Sequence, residues 1–385
     1  MAEVTLRAGR PADYPAVLDN LVRSFATDLR GIERFEDLYP DVLRPDAECM
    51  AGFSLAEVDG QIAAGIQVVP QTLELPHGIS LKVGGVGQVF CVPEHRSKGL
   101  MSKLLESVIA HMDSQGCHLS LLDGDRRRYR NYGWELAGSS RRLVLENRTY
   151  EGQPGQLAAN FASPSPPRRW NGDPAVAAKI ARAHQRLPYH ESWSPVVFPA
   201  VLRRSGLAVY TLDDGGFAYV VFRKGNLAGY GGDPVPFEAL LQAFLAQEGF
   251  SAVLPPTWGC GELEALLERY AAHYEGALAG QVRVFQLLPV LKAYTPVLHE
   301  RLGGGPAVVF QLAESGERVV LRGGEASPAD HETTGLPELT LSRAAWARLL
   351  FGPWAPEGLA PMWAEHEVVR RGFPLPLYWP QLSHV

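Results

Sequence analysis

Residues 86–101, VGQVFCVPEHRSKGLM, decide how this chain is read. Val86, Val89, Phe90 and Val92 make an apolar run rich in β-formers, and Pro93 stops it. A compact loop, Glu94-His95-Arg96-Ser97-Lys98-Gly99, follows. Leu100, Leu104, Leu105, Val108, Ile109 and Met112 then recur at three- and four-residue steps, which predicts an amphipathic helix. The first amides of a helix have no partner within it, and its dipole favours anions there. Arg96 and Lys98 add positive charge, and Gly99 lets the backbone approach a ligand closely. The stretch has the makings of a phosphate grip.

A second segment stands at a fixed distance. Residues 117–122 (CHLSLL) are strand-like and lead through Asp123-Gly124-Asp125 into Arg126-Arg127-Arg128-Tyr129-Arg130-Asn131-Tyr132-Gly133-Trp134. The four arginines read as a solvated basic face, and Tyr132 as a core or ligand-wall aromatic.

Together these segments resemble the GNAT acetyltransferases. Arg96-Ser97-Lys98-Gly99-Leu100-Met101 resembles their (Gln/Arg)-x-x-Gly-x-(Gly/Ala) pyrophosphate loop, and Tyr129 to Trp134 resembles their Tyr-x-x-x-Gly-Phe segment. Met101 stands where Gly or Ala is usual; with His95 it resembles the Eis-like branch, whose loop reads His-Arg-x-x-Gly-Leu-Leu. The resemblance implies an acetyl-coenzyme A-dependent N-acetyltransferase acting on a primary amine: a small polyamine, an aminoglycoside-like molecule or a lysine. It assigns the pyrophosphate to Arg96, Ser97, Lys98, Gly99, Leu100 and Met101, and the pantetheine arm to backbone groups of Phe90, Cys91 and Val92. Tyr129 matches the general acid toward sulfur. The α-carboxylate of Val385 matches the general base, with His384 as a rival. The chemistry requires both, because a lysine-like amine titrates near about 10.4 and must lose a proton before attack.

Composition sets outer bounds. The chain has 385 residues, 46% hydrophobic, with a net charge of −6, enough for two or three cores and with no electrostatic reason to bind nucleic acid. The apolar runs are too short to span a bilayer, and residues 1–14 lack a signal-peptide core, which predicts a soluble cytoplasmic protein without membrane contact. Cys49, Cys91, Cys117 and Cys260 have neither metal nor disulfide spacing, so no metal is expected; Cys91, within a β-run, reads as a buried inert thiol.

The expected fold class is α+β with mixed sheets, in tandem units. Residues 1–150 read as the catalytic GNAT domain and 151–167 as a Pro/Ser-rich linker. Residues 168–280 repeat the plan, but at Gly229-Tyr230-Gly231-Gly232-Asp233 a carboxylate replaces the cations, so this degenerate GNAT-like half is expected to bind no coenzyme A. Residues 281–385 resemble the sterol-carrier-like domain of Eis proteins and end in a Pro- and aromatic-rich tail expected to dock. Asp28, Glu33 and Glu36 are candidates for substrate selection, with a solvated surface the plainer role. The resemblance further implies a homo-oligomer, a hexamer being one such form. The competing reading is a non-catalytic acyl-coenzyme A or lipid-binding scaffold in which Tyr129 only packs.

Overall fold

Alternating apolar residues along 53–91 build the first of three sheets. A computed structural model describes residues 3–25, 34–146, 166–353 and 366–384. Strands β1 (Val4–Ala8), β2 (Phe53–Val58), β3 (Gln61–Leu75), β4 (Ile79–Cys91), β5 (Leu119–Leu122) and β6 (Glu135–Ala137) come from the N-terminal part. Helices α1 (Tyr14–Phe25), α2 (Ala47–Ala51), α3 (Leu100–Ser114) and α4 (Arg126–Tyr129) lie among them. Leu104, Val108 and Met112 of α3 pack on Ala64, Ile66 and Val86 of the sheet. Residues 67, 69 and 71 of β3, one step out of phase with these, face the other way.

The second sheet uses β7 (Ser140–Leu145), β8 (Arg168–Arg169), β10 (Leu207–Asp213), β11 (Phe217–Arg223), β12 (Asn226–Gly232), β13 (Phe250–Leu254) and β14 (Ala271–Ala277); β9 (His190–Glu191) pairs instead with β3. Helices α5 (Pro174–His184), α6 (Phe198–Val201), α7 (Pro234–Leu245) and α8 (Glu262–Arg269) belong to this half. After β15 (Gly280–Val284) come α9 (Leu287–Ala293) and α10 (Thr295–Leu302). The third sheet, β16 (Val308–Leu312), β17 (Arg318–Arg322), β18 (Glu325–Pro328) and β19 (Glu338–Leu341), is followed by α11 (Arg343–Phe351) and α12 (Glu367–Gly372). Parallel pairs (β4 with β5, β12 with β13, β16 with β19) sit among antiparallel ones, so the fold is α+β with mixed sheets.

Strand order shows a reciprocal exchange. The first sheet runs β1-β2-β3-β4-β5-β15-β6 and the second β8-β10-β11-β12-β13-β7-β14. Each sheet receives its penultimate strand from the other half: β15 inserts between β5 and β6, and β7 between β13 and β14. The boundaries expected at 150 and 281 therefore do not separate the sheets. Periodicity tells which face of a strand is buried and not which strand lies beside it, so the exchange left no local mark. The chain crosses over at Gly138, whose φ is +75° and where an added Cβ would lie 2.5 Å from Ala279 Cβ. The Pro/Ser-rich linker falls outside the described residues except at its last positions.

The third unit's core joins the first sheet through Leu73, Leu75, Ile79 and Leu81, with Phe310, Trp346 and Phe351 fully buried. The tail then returns to the second half. Tyr378 Oη donates to Val253 O at 2.9 Å, and Leu382 is buried against Val209, Tyr219 and Val221. Replacing Leu382 by Ala would leave a hole where the second sheet meets the tail. The expected cost is about 2–5 kcal/mol, read as a lower urea midpoint with unchanged slope.

Candidate functional site

The helix that opens after Gly99 starts without backbone partners. Ser97 has φ +60° and Gly99 φ +77°, which turns successive amides toward solvent. The N–H groups of residues 97–102 find no acceptor among the described residues, while Lys103 N is the first to bond back, to Gly99 O. A Cβ on Gly99 would have open space, so its conformation and not crowding calls for glycine. Arg96 Nε donates to Cys91 O at 3.1 Å, tying the loop to the strand before it, while Ser97 and Lys98 are exposed. Leu100 faces the core beneath and Met101 packs partly against it, so these two offer a ligand their backbone and not their side chains.

Beside this loop the sheet opens. β4 pairs with β5 only from Val83 to Gly85, then runs on to Cys91 with no neighbour on that side among the described residues. A bulge at Gln88, φ +49°, shifts the register against β3. Val92 N donates to Ala63 O at 2.9 Å. By the alternation of an antiparallel ladder the Phe90 amide also turns to β3, and the Cys91 amide turns into the opening. Of the three residues expected to hold a pantetheine arm, Cys91 is thus the one with a free N–H; Phe90 is buried in the core. The Cys91 thiol is half-buried, and burial raises its pKa, which keeps it protonated and unreactive.

Tyr129 follows β5 and sits half-buried with its ring edge toward Trp134, centroids 6.2 Å apart. Its ring lies on Gly124, where a Cβ would come within 2.6 Å of Cε2. Burial raises the phenol pKa, with Arg128 opposing, so Tyr129 is protonated at neutral pH and can donate. Tyr132 Oη donates to Ser102 Oγ at 2.8 Å, fastening this segment to the first turn of α3. The basic cluster is less solvated than expected: Arg126 and Arg130 both pair with Glu135, which is 1% exposed. The two guanidiniums outweigh burial and hold the Glu135 carboxyl below its ordinary range.

The tail reaches the same place from the far side. Arg204 forms a two-point pair with Asp41 (2.7 and 2.6 Å), and both are buried. Its Nη1 donates to Leu382 O and His384 O, both at 2.9 Å, while Gln71 Nε2 donates to Ser383 O at 2.6 Å. His384 stacks on Trp379 with centroids 4.0 Å apart, and its Nδ1 lies 2.8 Å from Asp123 Oδ2, one residue before the glycine that carries Tyr129. Val385, with Asp28 and Glu33, lies outside the described residues.

In the second half the matching opening is filled. β12 pairs with β13 only at Asn226 and Leu227 and then splays, and Leu382 presses on Gly229, where a Cβ would meet Leu382 Cδ1 at 2.6 Å. Asp233 accepts from Phe217 N at 2.8 Å and pairs with Arg186. A carboxylate at the helix start and a tail in the splay leave no room for a pyrophosphate and its arm. Asp41, Gln71, Asp123, Glu191 and Arg204 escaped sequence reasoning. Gln67 and Gln71 did leave a trace, as amide side chains among the apolar residues from Ile62 to Pro70 and Leu73; Arg204 left none.

A family model described as an acetyltransferase (GNAT) domain matches residues 5–137. No curated protein matches the sequence. Among solved structures, a probable N-acyltransferase from Enterococcus faecalis V583 covers 100% of this chain and 95% of its own at 14% identity and TM-score 0.66. A GCN5-related N-acetyltransferase from Kribbella flavida covers 98% and 97% at 18% identity and TM-score 0.65. Eis1 from Mycobacterium abscessus covers 98% and 99% at 14% identity and TM-score 0.66. These similarities extend over the whole fold. Residues 5–137 thus match an acetyltransferase domain of GNAT type, and the likeness of the rest is one of fold.

Arg204→Ala would strand the Asp41 carboxylate without its partner and release two tail carbonyls. The expected loss is about 3–5 kcal/mol, measured by chemical denaturation.

Proposed function

We propose that this protein is an acetyl-coenzyme A-dependent N-acetyltransferase acting on a primary amine, and that the partnerless amides of residues 97–102 beside the β4–β5 opening are the observation that carries this reading. Acetyl-coenzyme A, when bound, supplies an activated acetyl thioester. The amides of residues 97–102, with Arg96 and Lys98, bind its pyrophosphate, and the Cys91 N–H orients the arm that enters the opening. Tyr129 holds its proton at Oη for the departing sulfur, and its burial among Gly124 and Trp134 keeps that proton in place.

The amine's proton goes to the chain end, which offers two acceptors. One is the α-carboxylate of Val385. The other is His384 Nε2, which has no hydrogen-bond partner among the described residues; an Nδ1–H shared with Asp123 leaves this nitrogen free to accept. The third unit, read as a sterol-carrier-like domain, serves to brace the first sheet and the tail, a role its filled aromatic core supports. The exposed edge strand β14, with Tyr274 outward, is the surface that supports assembly into a homo-oligomer.

Isothermal titration with acetyl-coenzyme A should give micromolar binding that an Arg96→Ala/Lys98→Ala variant loses. Tyr129→Phe should retain binding while kcat falls about a hundredfold or more; wild-type protein that binds no acetyl-coenzyme A would sink the reading. The Asp123 contact makes His384 the expected base. His384→Gln should then lower kcat about a hundredfold, while one residue added after Val385 should change little. The reverse pattern assigns the proton to the terminal carboxylate.

A further inference from the structure

Two hollows adjoin where the tail crosses the second sheet, one of about 300 Å³ and one of about 380 Å³, and Arg204 and Leu207 line both. Arg142 of β7, Arg223 at the end of β11 and Lys224 of the turn after it line the first; Arg169 of β8 and Arg203, after α6, line the second. No carboxylate lines either hollow, in a chain with 42 acidic residues against 36 basic ones. None of the five cations is paired with a carboxylate among the described residues, whereas Arg204 is neutralised by Asp41. Glu275 stands across the β7–β14 ladder from Arg142 and forms no ion pair with it.

The fold holds these cations in place. Leu207 faces Arg223 directly across β10 and β11, which brings the two hollows together at one strand pair. Lys224 and Gly225 make the two-residue turn from β11 to β12, with φ of +50° and +77°. Such turns favour Asn, Asp or Gly in the first place, so this lysine is a charge kept against local preference. The Arg203 guanidinium lies over the Trp170 ring, 5.6 Å from its centre, which orients it and leaves its charge unmatched. A concave wall of one sign focuses its field and concentrates counter-ions.

We propose that the two hollows form one binding site for a small polyanion of the phosphate class, a polyphosphate chain or a nucleoside triphosphate. A single phosphate meets the cations of one hollow; a chain of phosphates reaches those of both across Leu207. Arginine forks hold phosphate oxygens at two points, and lysine adds a point charge. The site belongs to the second half and is separate from the amides of residues 97–102. One of its walls is the tail itself, through Gln381 and Leu382. Occupancy therefore braces the segment that carries His384, whether or not the chain transfers acetyl groups.

The test is isothermal titration of the full-length Arg96→Ala/Lys98→Ala variant, in which the loop of the first half has lost its cations, with tripolyphosphate, orthophosphate and ATP. Tripolyphosphate should bind at least about tenfold tighter than orthophosphate, and less tightly as salt rises. ATP binding tighter than tripolyphosphate identifies a nucleotide, and equal binding identifies the phosphate chain alone; both support the site. Adding Arg223→Gln/Lys224→Gln should weaken tripolyphosphate about tenfold or more, and Arg142→Gln should weaken it as well. All three side chains are exposed, so the urea midpoint should not move. Absent binding, equal binding of the two phosphates, or binding untouched by these substitutions overturns the proposal. So does an oligoglutamate peptide that binds tighter than tripolyphosphate, which makes the face a protein-docking surface. Hydrogen exchange along residues 378–384 should slow in the bound state; unchanged exchange overturns the link to the tail.

Discussion

One guanidinium joins the three parts of this molecule. Arg204 belongs to the second half, Asp41 to the first, and the carbonyls of Leu382 and His384 to the chain end. Burying a charge is tolerable only when it is paired and its donors are used, and here one pair meets both conditions while crossing every boundary in the fold. The planar fork of arginine makes this possible, since two nitrogens hold the carboxylate while another carries the tail. The position of His384 beside Asp123, and with it the far wall of the cleft, follows from that anchor.

The first two sheets show how one strand plan acquires two fates. In both, a central parallel pair parts after a short stretch and a helix begins beyond it. In the first half the loop is rich in partnerless amides and cations, and the gap stays open. In the second, Asp233 sits at the helix start and Leu382 fills the gap. The second half is not idle: its gap is the socket through which the tail is led back to the first half.

Much of the first half could be read from the chain alone because its signals are local. Val86 to Val92, the loop to Gly99 and the spacing of Leu100, Leu104 and Val108 each follow from the conformational preferences of a few neighbouring residues, and Tyr129 keeps a fixed distance from them. The composition also fits the finding that no helix among the described residues is long and apolar enough to cross a membrane. What stayed hidden is non-local. β7 and β15 look like any alternating strands, and nothing in Arg204 or Asp41 tells that they meet across 163 residues. The amide of Val92 looked as available as that of Cys91 until the β3 register was known.

The strand exchange has a consequence for how the protein is made. On the ribosome the first sheet can assemble as far as β5, but its gap before β6 waits for β15, about 140 residues later in the chain. Meanwhile β7 must find β13 and β14 in a half not yet synthesised when it emerges. Neither sheet can close before the other has been translated, and the cleft closes only when the last residues arrive to meet Arg204. An unfinished chain therefore lacks its cleft, and the two halves cannot be cut apart at their linker without each losing an inner strand.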